Sequence, residues 1–249
     1  MRDLERPGRR EGDTAVEADK WSGSGHVVQV RPHVWGWLAP LLGAGSVLEI
    51  GPGLRPTAPV ASSTFVDASL HALRHLEARG ARTAEAGSRL PFEDRSFGAA
   101  LAFEVLEHVE DDVTLLDEIA RVLRPRGLLV ISTPIHASRW SPLDDACGHV
   151  RRDEPEVLLE KVHAAGFEIG GFAWTRPALA ALTPLRVRAL RSNRRLSTAF
   201  VQRWIFPVHA AYQRWFQRLR WAAPDRPVPS SADDLMLWAR RVDEDRPQT

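Results

Sequence analysis

"VLEIGPGLRP", residues 47–56, is the stretch whose reading decides the fold. A short apolar run before glycines reads as a buried strand. This one takes in an acid, Glu49, and ends in Gly51-Pro52-Gly53. Gly51 and Gly53 lack a Cβ, so the chain can turn sharply there and a ligand can lie against the backbone. The segment that follows would present N–H groups to that ligand. A plain tight turn is the other reading of the same residues. A nicotinamide fingerprint needs GxGxxG, and Pro56 stands at its third glycine.

Outward from this stretch, strand and helix patterns alternate. "STFVDAS" (63–69) reads as a second strand ending in Asp67, and "LHALRHLEARG" (70–80) as a helix with Leu70, Leu73 and Leu76 on one face and Gly80 as its stop. "FGAALAFEVL" (97–106) begins as a buried strand. "DDVTLLDEIARVLRP" is the clearest helix: Val113, Leu116, Ile119 and Leu123 line one face, Arg121 and Arg124 suit its C-terminal dipole, and Pro125 and Gly127 stop it. "GLLVIST" (127–133) is a strand, 155–167 a helix with Pro near its start, and "FEIGGFAW" (167–174) a strand. Alternating elements with continuous apolar strands define an open α/β sheet, mostly parallel. Ligands in such sheets bind beyond the carboxyl ends of the strands. Glu49, Asp67 and Glu104 fall at those ends.

Composition bounds the rest. The 249 residues carry 44% apolar and 26% charged side chains at a net charge of +1, which fits a globular protein and no general polyanion binder. No DNA partner is expected, and no recognised RNA module is present. Cys147 is the single cysteine, so a disulfide framework, a CxxC motif and a Cys/His zinc cluster are excluded; no metal ligand is assigned. No run of 18 apolar residues occurs, and the N-terminus lacks the apolar core of a secretory signal. The expected location is cytoplasmic. Residues 1–28 read as a polar, disordered N-terminus.

From Arg176 to Arg226 the chain has eleven arginines and one acid, Asp225. Phe200, Trp204, Val208, Tyr212, Trp215 and Leu219 recur at helical spacing. Residues 176–230 therefore read as a basic, aromatic helical insertion, and "DLMLWARRV" (234–242) as a return to the sheet. The insertion has four readings: a lid over the acceptor, a dimer interface, a basic helix lying on an anionic membrane, or an RNA contact. Monomer and homodimer both remain open.

"LEIGPG", "LPFEDRSF", "EVLEHV", "EIARVLRPRG" and "GHVRR…AAGF", in this order over about 46–175, resemble the class I S-adenosylmethionine-dependent methyltransferases of the type 11 group. The resemblance implies a Rossmann-like, doubly wound, mostly parallel seven-stranded sheet with the last strand antiparallel. The cofactor domain would take residues 29–175 and 231–245. Gly51, Pro52 and Gly53 would face the methionine part of the cofactor, and Glu49 its ammonium, directly or through water. Asp67 would accept from the ribose hydroxyls; the plainer reading is a cap for the next helix. The segment before Leu90 would flank the adenine. The family carries an Asp there; this chain has Ala86, with Glu85 the nearest acid. Glu104 and His108 would line the floor of the methyl-transfer site. His149, beside Arg151 and Arg152, would lie in the loop over the acceptor, where Asp144 and Asp145 are weaker candidates; Glu104, His108 and His149 are the candidate catalytic residues. Gly98 and Arg126 depart from the family's usual Asp and Gly.

The activity implied is methyl transfer to a small-molecule acceptor, lipid- and sugar-type compounds included. Two alternatives stand beside it: a nicotinamide-dependent oxidoreductase on a similar sheet, and a non-catalytic binding module that works through the basic insertion.

Overall fold

The computed structural model describes residues 38–39, 42, 45–54, 56–175 and 222–242. Most of the 29–42 segment, the 1–28 segment and the insertion up to residue 221 lie outside them. Residues 38–39 and 42 are helical, with Leu38 and Leu42 buried.

Among the described residues, seven strands form one sheet: β1 Val47–Ile50, β2 Ser63–Asp67, β3 Arg82–Glu85, β4 Phe97–Phe103, β5 Leu123–Pro134, β6 Phe167–Thr175 and β7 Asp234–Arg241. Their order is β3-β2-β1-β4-β5-β7-β6. Pairs from β3 to β5 are parallel, while β7 runs antiparallel to both β5 and β6. Besides the helical residues 38–39 and 42, four α-helices among the described residues accompany the sheet: α1 Leu70–Glu77, α2 Asp112–Val122, α3 Pro142–Cys147 and α4 Pro155–Ala164.

Both sheet faces are covered, which is why the strands read as continuous apolar runs. On one face Leu48, Ile50, Ala100, Leu129 and Ile131 pack with Leu116 and Ile119 of α2 and Leu158 and Val162 of α4. On the other, Val47, Phe65, Leu101, Phe103 and Val130 pack with Leu38 and Leu76. Each fully buried Leu or Ile contributes on the order of 1.5–3 kcal/mol.

The helix faces differ from the sequence expectation in register. In α1 the buried residues are Ala72, Leu73 and Leu76, and Leu70 is exposed. In α2 they are Asp112, Leu116, Ile119 and Val122; Val113 is exposed, and Leu123 already belongs to β5. First-turn positions lie at the rim of the contact, so an apolar residue there need not be covered. Strand β3 had no apolar pattern to reveal it. It is an edge strand of sequence RTAE with none of its residues fully buried. Helix α3 falls in what read as loop; Ser141 starts it with a capping box that includes Asp144.

Arg126 occupies the left-handed region at φ 61°, which explains why the family favours glycine there. That conformation costs a non-glycine residue about 1–2 kcal/mol, against about 0.5–1 kcal/mol of extra chain entropy for glycine. Its side chain is exposed and its carbonyl accepts from Arg240. Arg126→Gly should therefore stabilise the fold by roughly 0.5–1 kcal/mol, measured as a rise in the denaturant midpoint.

Candidate active site

Strand β1 is flanked by β2 on one side and β4 on the other. The chain order reverses there, so a crevice opens beyond the carboxyl ends of β1 and β4. The glycine turn caps it. Gly51 has φ 62° and Gly53 φ 56°. A Cβ on Gly51 would sit 2.7 Å from Cγ2 of Val105. Gly51 is thus required twice, by its backbone and by the close approach of the β4 exit. Pro52 between the two glycines is buried.

Glu49 organises this turn from below. It is 1% exposed, and its carboxylate accepts the amide N–H groups of Thr57 (2.9 Å to both oxygens) and Ala58 (2.8 Å). The acid in the strand therefore anchors the loop that follows the glycines.

Asp67, at the end of β2, holds the other side. Oδ2 accepts from Gly53 N at 2.9 Å and Oδ1 from Ser69 N at 2.8 Å. Helix α1 is capped by the Ser69 side chain, not by Asp67. Burial pushes the Asp67 carboxyl up; the hydrogen bonds from Ser69 and Gly53, and the nearby amide of Ala68, oppose that. An ionised carboxylate has about four acceptor sites, and the two amides leave capacity on each oxygen. These acceptor oxygens fit the implied cofactor, whose ribose carries two adjacent hydroxyls that donate.

Glu85 pairs with Asp67 across β2 and β3 but is exposed. The Ala86 amide donates to the Asp67 carbonyl at 2.9 Å, and its methyl packs on the core. Leu90 is 3% exposed; its N–H donates to Glu118 at 2.8 Å and its carbonyl accepts from Arg121 at 2.9 Å. Arg121 also reaches the Phe92 carbonyl and Asp94, both at 2.8 Å. Arg121 lies in the last turn of α2, as the sequence placed it, and it also clamps the 90–94 loop to that helix. Its hydrogen bonds to Glu118 raise the guanidinium's basicity further, and those to Arg121 hold the Glu118 carboxyl low.

Glu104 follows β4 at φ 55°, an uncommon conformation for a side-chain-bearing residue. Its N–H donates to the Ser132 carbonyl at 2.8 Å, and the Ser132 hydroxyl donates to its Oε1 at 2.6 Å. The 3-10 turn Leu106–His108 comes next. It turns His108 toward His149, with ring centroids 4.8 Å apart and planes at 81°. Burial first, and the neighbouring His149 second, push His108 down to about 4, so its imidazole is neutral at pH 7.

His149 Nδ1 lies 2.9 Å from Asp144, which also accepts from Ser141 N (2.7 Å), the Ser141 hydroxyl (2.8 Å) and Arg152 Nε (2.7 Å). Burial alone would raise the Asp144 carboxyl. The hydrogen bonds from His149, Arg152 and Ser141 more than reverse it and hold the group below the usual carboxylate range. Arg152 continues to the Ile135 carbonyl and Asp233. Arg151 joins Asp112 at 2.5 Å and the Glu110 carbonyl at 2.6 Å. These arginines fasten the loop to the domain. Asp145 accepts from the Trp140 indole at 3.0 Å, and Cys147 is half-buried at the end of α3.

The structure therefore brings Gly51, Gly53, Asp67 and Glu104 to one set of strand ends, and His108 and His149 together beside it. Glu107 was missed. It is 0% exposed and lies next to both histidines. An acid inside the apolar "EVLEHV" was the only signal for it. Burial first, then the charge of Glu104, raise its carboxyl well above the usual range.

Comparisons with known proteins agree with this architecture. Residues 42–131 match the family model described as a methyltransferase domain. That match supports a class I S-adenosylmethionine-dependent methyltransferase domain of the type 11 group over this stretch. A Mycobacterium tuberculosis protein described as "Probable S-adenosylmethionine-dependent methyltransferase" is 35% identical over 142 residues, 52% of this chain and 51% of that protein. The O-methyltransferase rstn1 of Aspergillus nomiae is 54% identical over 89 residues, 32% of this chain and 38% of that enzyme. This chain thus spans at most about half the length of these relatives. Among solved structures, a Haemonchus contortus phosphoethanolamine N-methyltransferase 2 in complex with S-adenosyl-L-methionine superposes with a TM-score of 0.58 at 15% identity, over 94% of this chain and 58% of that one. No helix among the described residues is long and apolar enough to cross a membrane.

Proposed function

We propose that the chain transfers a methyl group from S-adenosylmethionine to a small-molecule acceptor, with lipid- and sugar-type compounds within that class. The observation that carries this reading is Asp67, a carboxylate at the end of β2 hydrogen-bonded to Gly53 of the glycine turn and left with acceptor capacity for two hydroxyls. The bound cofactor supplies a methyl on a sulfonium, which leaves readily to a nucleophile in line with it. Asp67 takes the ribose. Gly51, Pro52 and Gly53 give the backbone surface against which the methionine part lies, and Glu49 keeps that turn shaped through Thr57 and Ala58. Leu90, fixed by Arg121 and Glu118, flanks the adenine; with Ala86 and an exposed Glu85, that contact is apolar. Glu104 forms the floor.

Such chemistry relies on positioning, which can supply about 7–11 kcal/mol of effective-molarity advantage. A proton acceptor is needed only when the acceptor loses a proton. His108, neutral at pH 7, and His149, oriented by Asp144, are placed for that task. The O-methyltransferase relative favours an oxygen acceptor. Methyl-labelled S-adenosylmethionine, incubated with the protein and a small-molecule extract of the producing cell, should move label into a low-mass acceptor while S-adenosylhomocysteine accumulates. Label that stays wholly in the cofactor, under conditions where the protein binds it, would turn the reading to a non-catalytic module.

A further inference from the structure

We propose that Glu107, His108 and His149 form a binding site for one divalent transition-metal ion beside the methyl-transfer floor. Each offers one ligand atom, and these atoms lie within 4.8 Å of one another. Atoms bound tetrahedrally to one ion at about 2.0–2.2 Å lie about 3.3–3.6 Å apart, so binding asks the widest separation to close by at most about 1.2–1.5 Å, shared between side chains on two loops. Two imidazoles and a carboxylate are a donor set that suits zinc, iron, cobalt or manganese. A cysteine is not needed, so the exclusion drawn from the single cysteine does not touch this site.

Two independent features point to a ligand. Glu107 is fully buried, and its Oε1 has no hydrogen-bond partner, while Oε2 is held by the Thr133 hydroxyl at 3.2 Å. A buried carboxyl oxygen without a hydrogen-bond partner costs about 1–3 kcal/mol; a cation bound there removes that cost. Both histidines also have the outer support that metal-bound imidazoles show. Nδ1 of His149 lies 2.9 Å from Asp144, and Nδ1 of His108 lies 3.3 Å from the Gly148 carbonyl. With Nδ1–H directed to these acceptors, each ring carries its lone pair on Nε2, the nitrogen a metal would take. The edge-on approach of the two rings at 4.8 Å keeps them within reach of one ion.

The cluster begins three residues after Glu104, on the turn leaving β4. An acceptor carrying a hydroxyl or carbonyl oxygen is the ligand class for the ion's remaining positions. That use rests on the methyltransferase reading; binding of the ion does not.

The test takes the tag-free full chain, stripped with a chelator and titrated with Co²⁺ by visible absorption and with Zn²⁺ by calorimetry, alongside S-adenosylhomocysteine. One equivalent of each metal should bind, with cobalt bands of low coordination number. Glu107→Gln and His149→Ala should each weaken metal binding by about 100-fold or more while S-adenosylhomocysteine binding persists as evidence of folding. Asp144→Asn, which keeps all three ligands, should weaken it by about 10–100-fold. Absence of stoichiometric metal binding with intact S-adenosylhomocysteine binding would overturn the metal site alone. Equal metal affinity in wild type and both ligand variants would do the same. Metal binding without any S-adenosylhomocysteine binding would support the site and remove the methyltransferase reading.

Discussion

Asp67→Ala is expected to weaken S-adenosylhomocysteine binding by on the order of 100-fold or more. Two hydrogen bonds to an ionised group are removed, each contributing about 1.5–3 kcal/mol, and every 1.4 kcal/mol is about tenfold in affinity. The same change takes the acceptor from Gly53 N and Ser69 N, so the glycine turn loosens as well. Asp67→Asn separates the two effects. It keeps an oxygen for one amide but turns one acceptor into a donor, so binding should fall by at least about tenfold with a smaller change in melting temperature. Calorimetric titration, paired with thermal denaturation of each variant, reads both. Unchanged affinity in Asp67→Ala would show that the ribose assignment is wrong.

Arg152→Ala is expected to cost about 3–5 kcal/mol of stability, the penalty for stranding a buried charge. Arg152 and Asp144 are 8% and 1% exposed at the side chain, and the pair lies 2.7 Å apart. Arg152 also ties Asp233, next to β7, to the Ile135 carbonyl beyond β5. The loss should lower the melting midpoint by roughly 10 °C for a domain of this size. Combining it with Asp144→Asn should recover part of the loss, because the uncompensated carboxylate is gone. A thermal midpoint within about 2 °C of wild type would mean that the loop is held by other contacts.

The sheet was legible in sequence where its strands are buried on both faces. Leu48 and Ile50, or Leu129 to Ile131, leave no polar alternative to read. Edge strand β3 was not, because Arg82 to Glu85 pack too little to need apolar residues. Helices were found but their faces were shifted, since Leu70 and Val113 are apolar yet exposed. The places of Gly51, Gly53 and Asp67 at the strand ends were readable because such acids and glycines follow the local chain. The other side was not. Nothing in the sequence joins His108 to His149, places Glu107 between apolar neighbours and two rings, or turns Arg121 back onto the 90–94 loop. These depend on which segments the sheet brings together. Glu49 shows the same limit: its position was clear, but its bonds to Thr57 and Ala58 run along a loop whose shape only the fold supplies.

The most direct measurement is calorimetric titration of the wild-type chain with S-adenosylmethionine, S-adenosylhomocysteine and NAD. Micromolar binding of both sulfur compounds and none of NAD is the expected result. No binding of either sulfur compound would contradict the central claim, and would leave the glycine turn as part of a scaffold rather than a cofactor site.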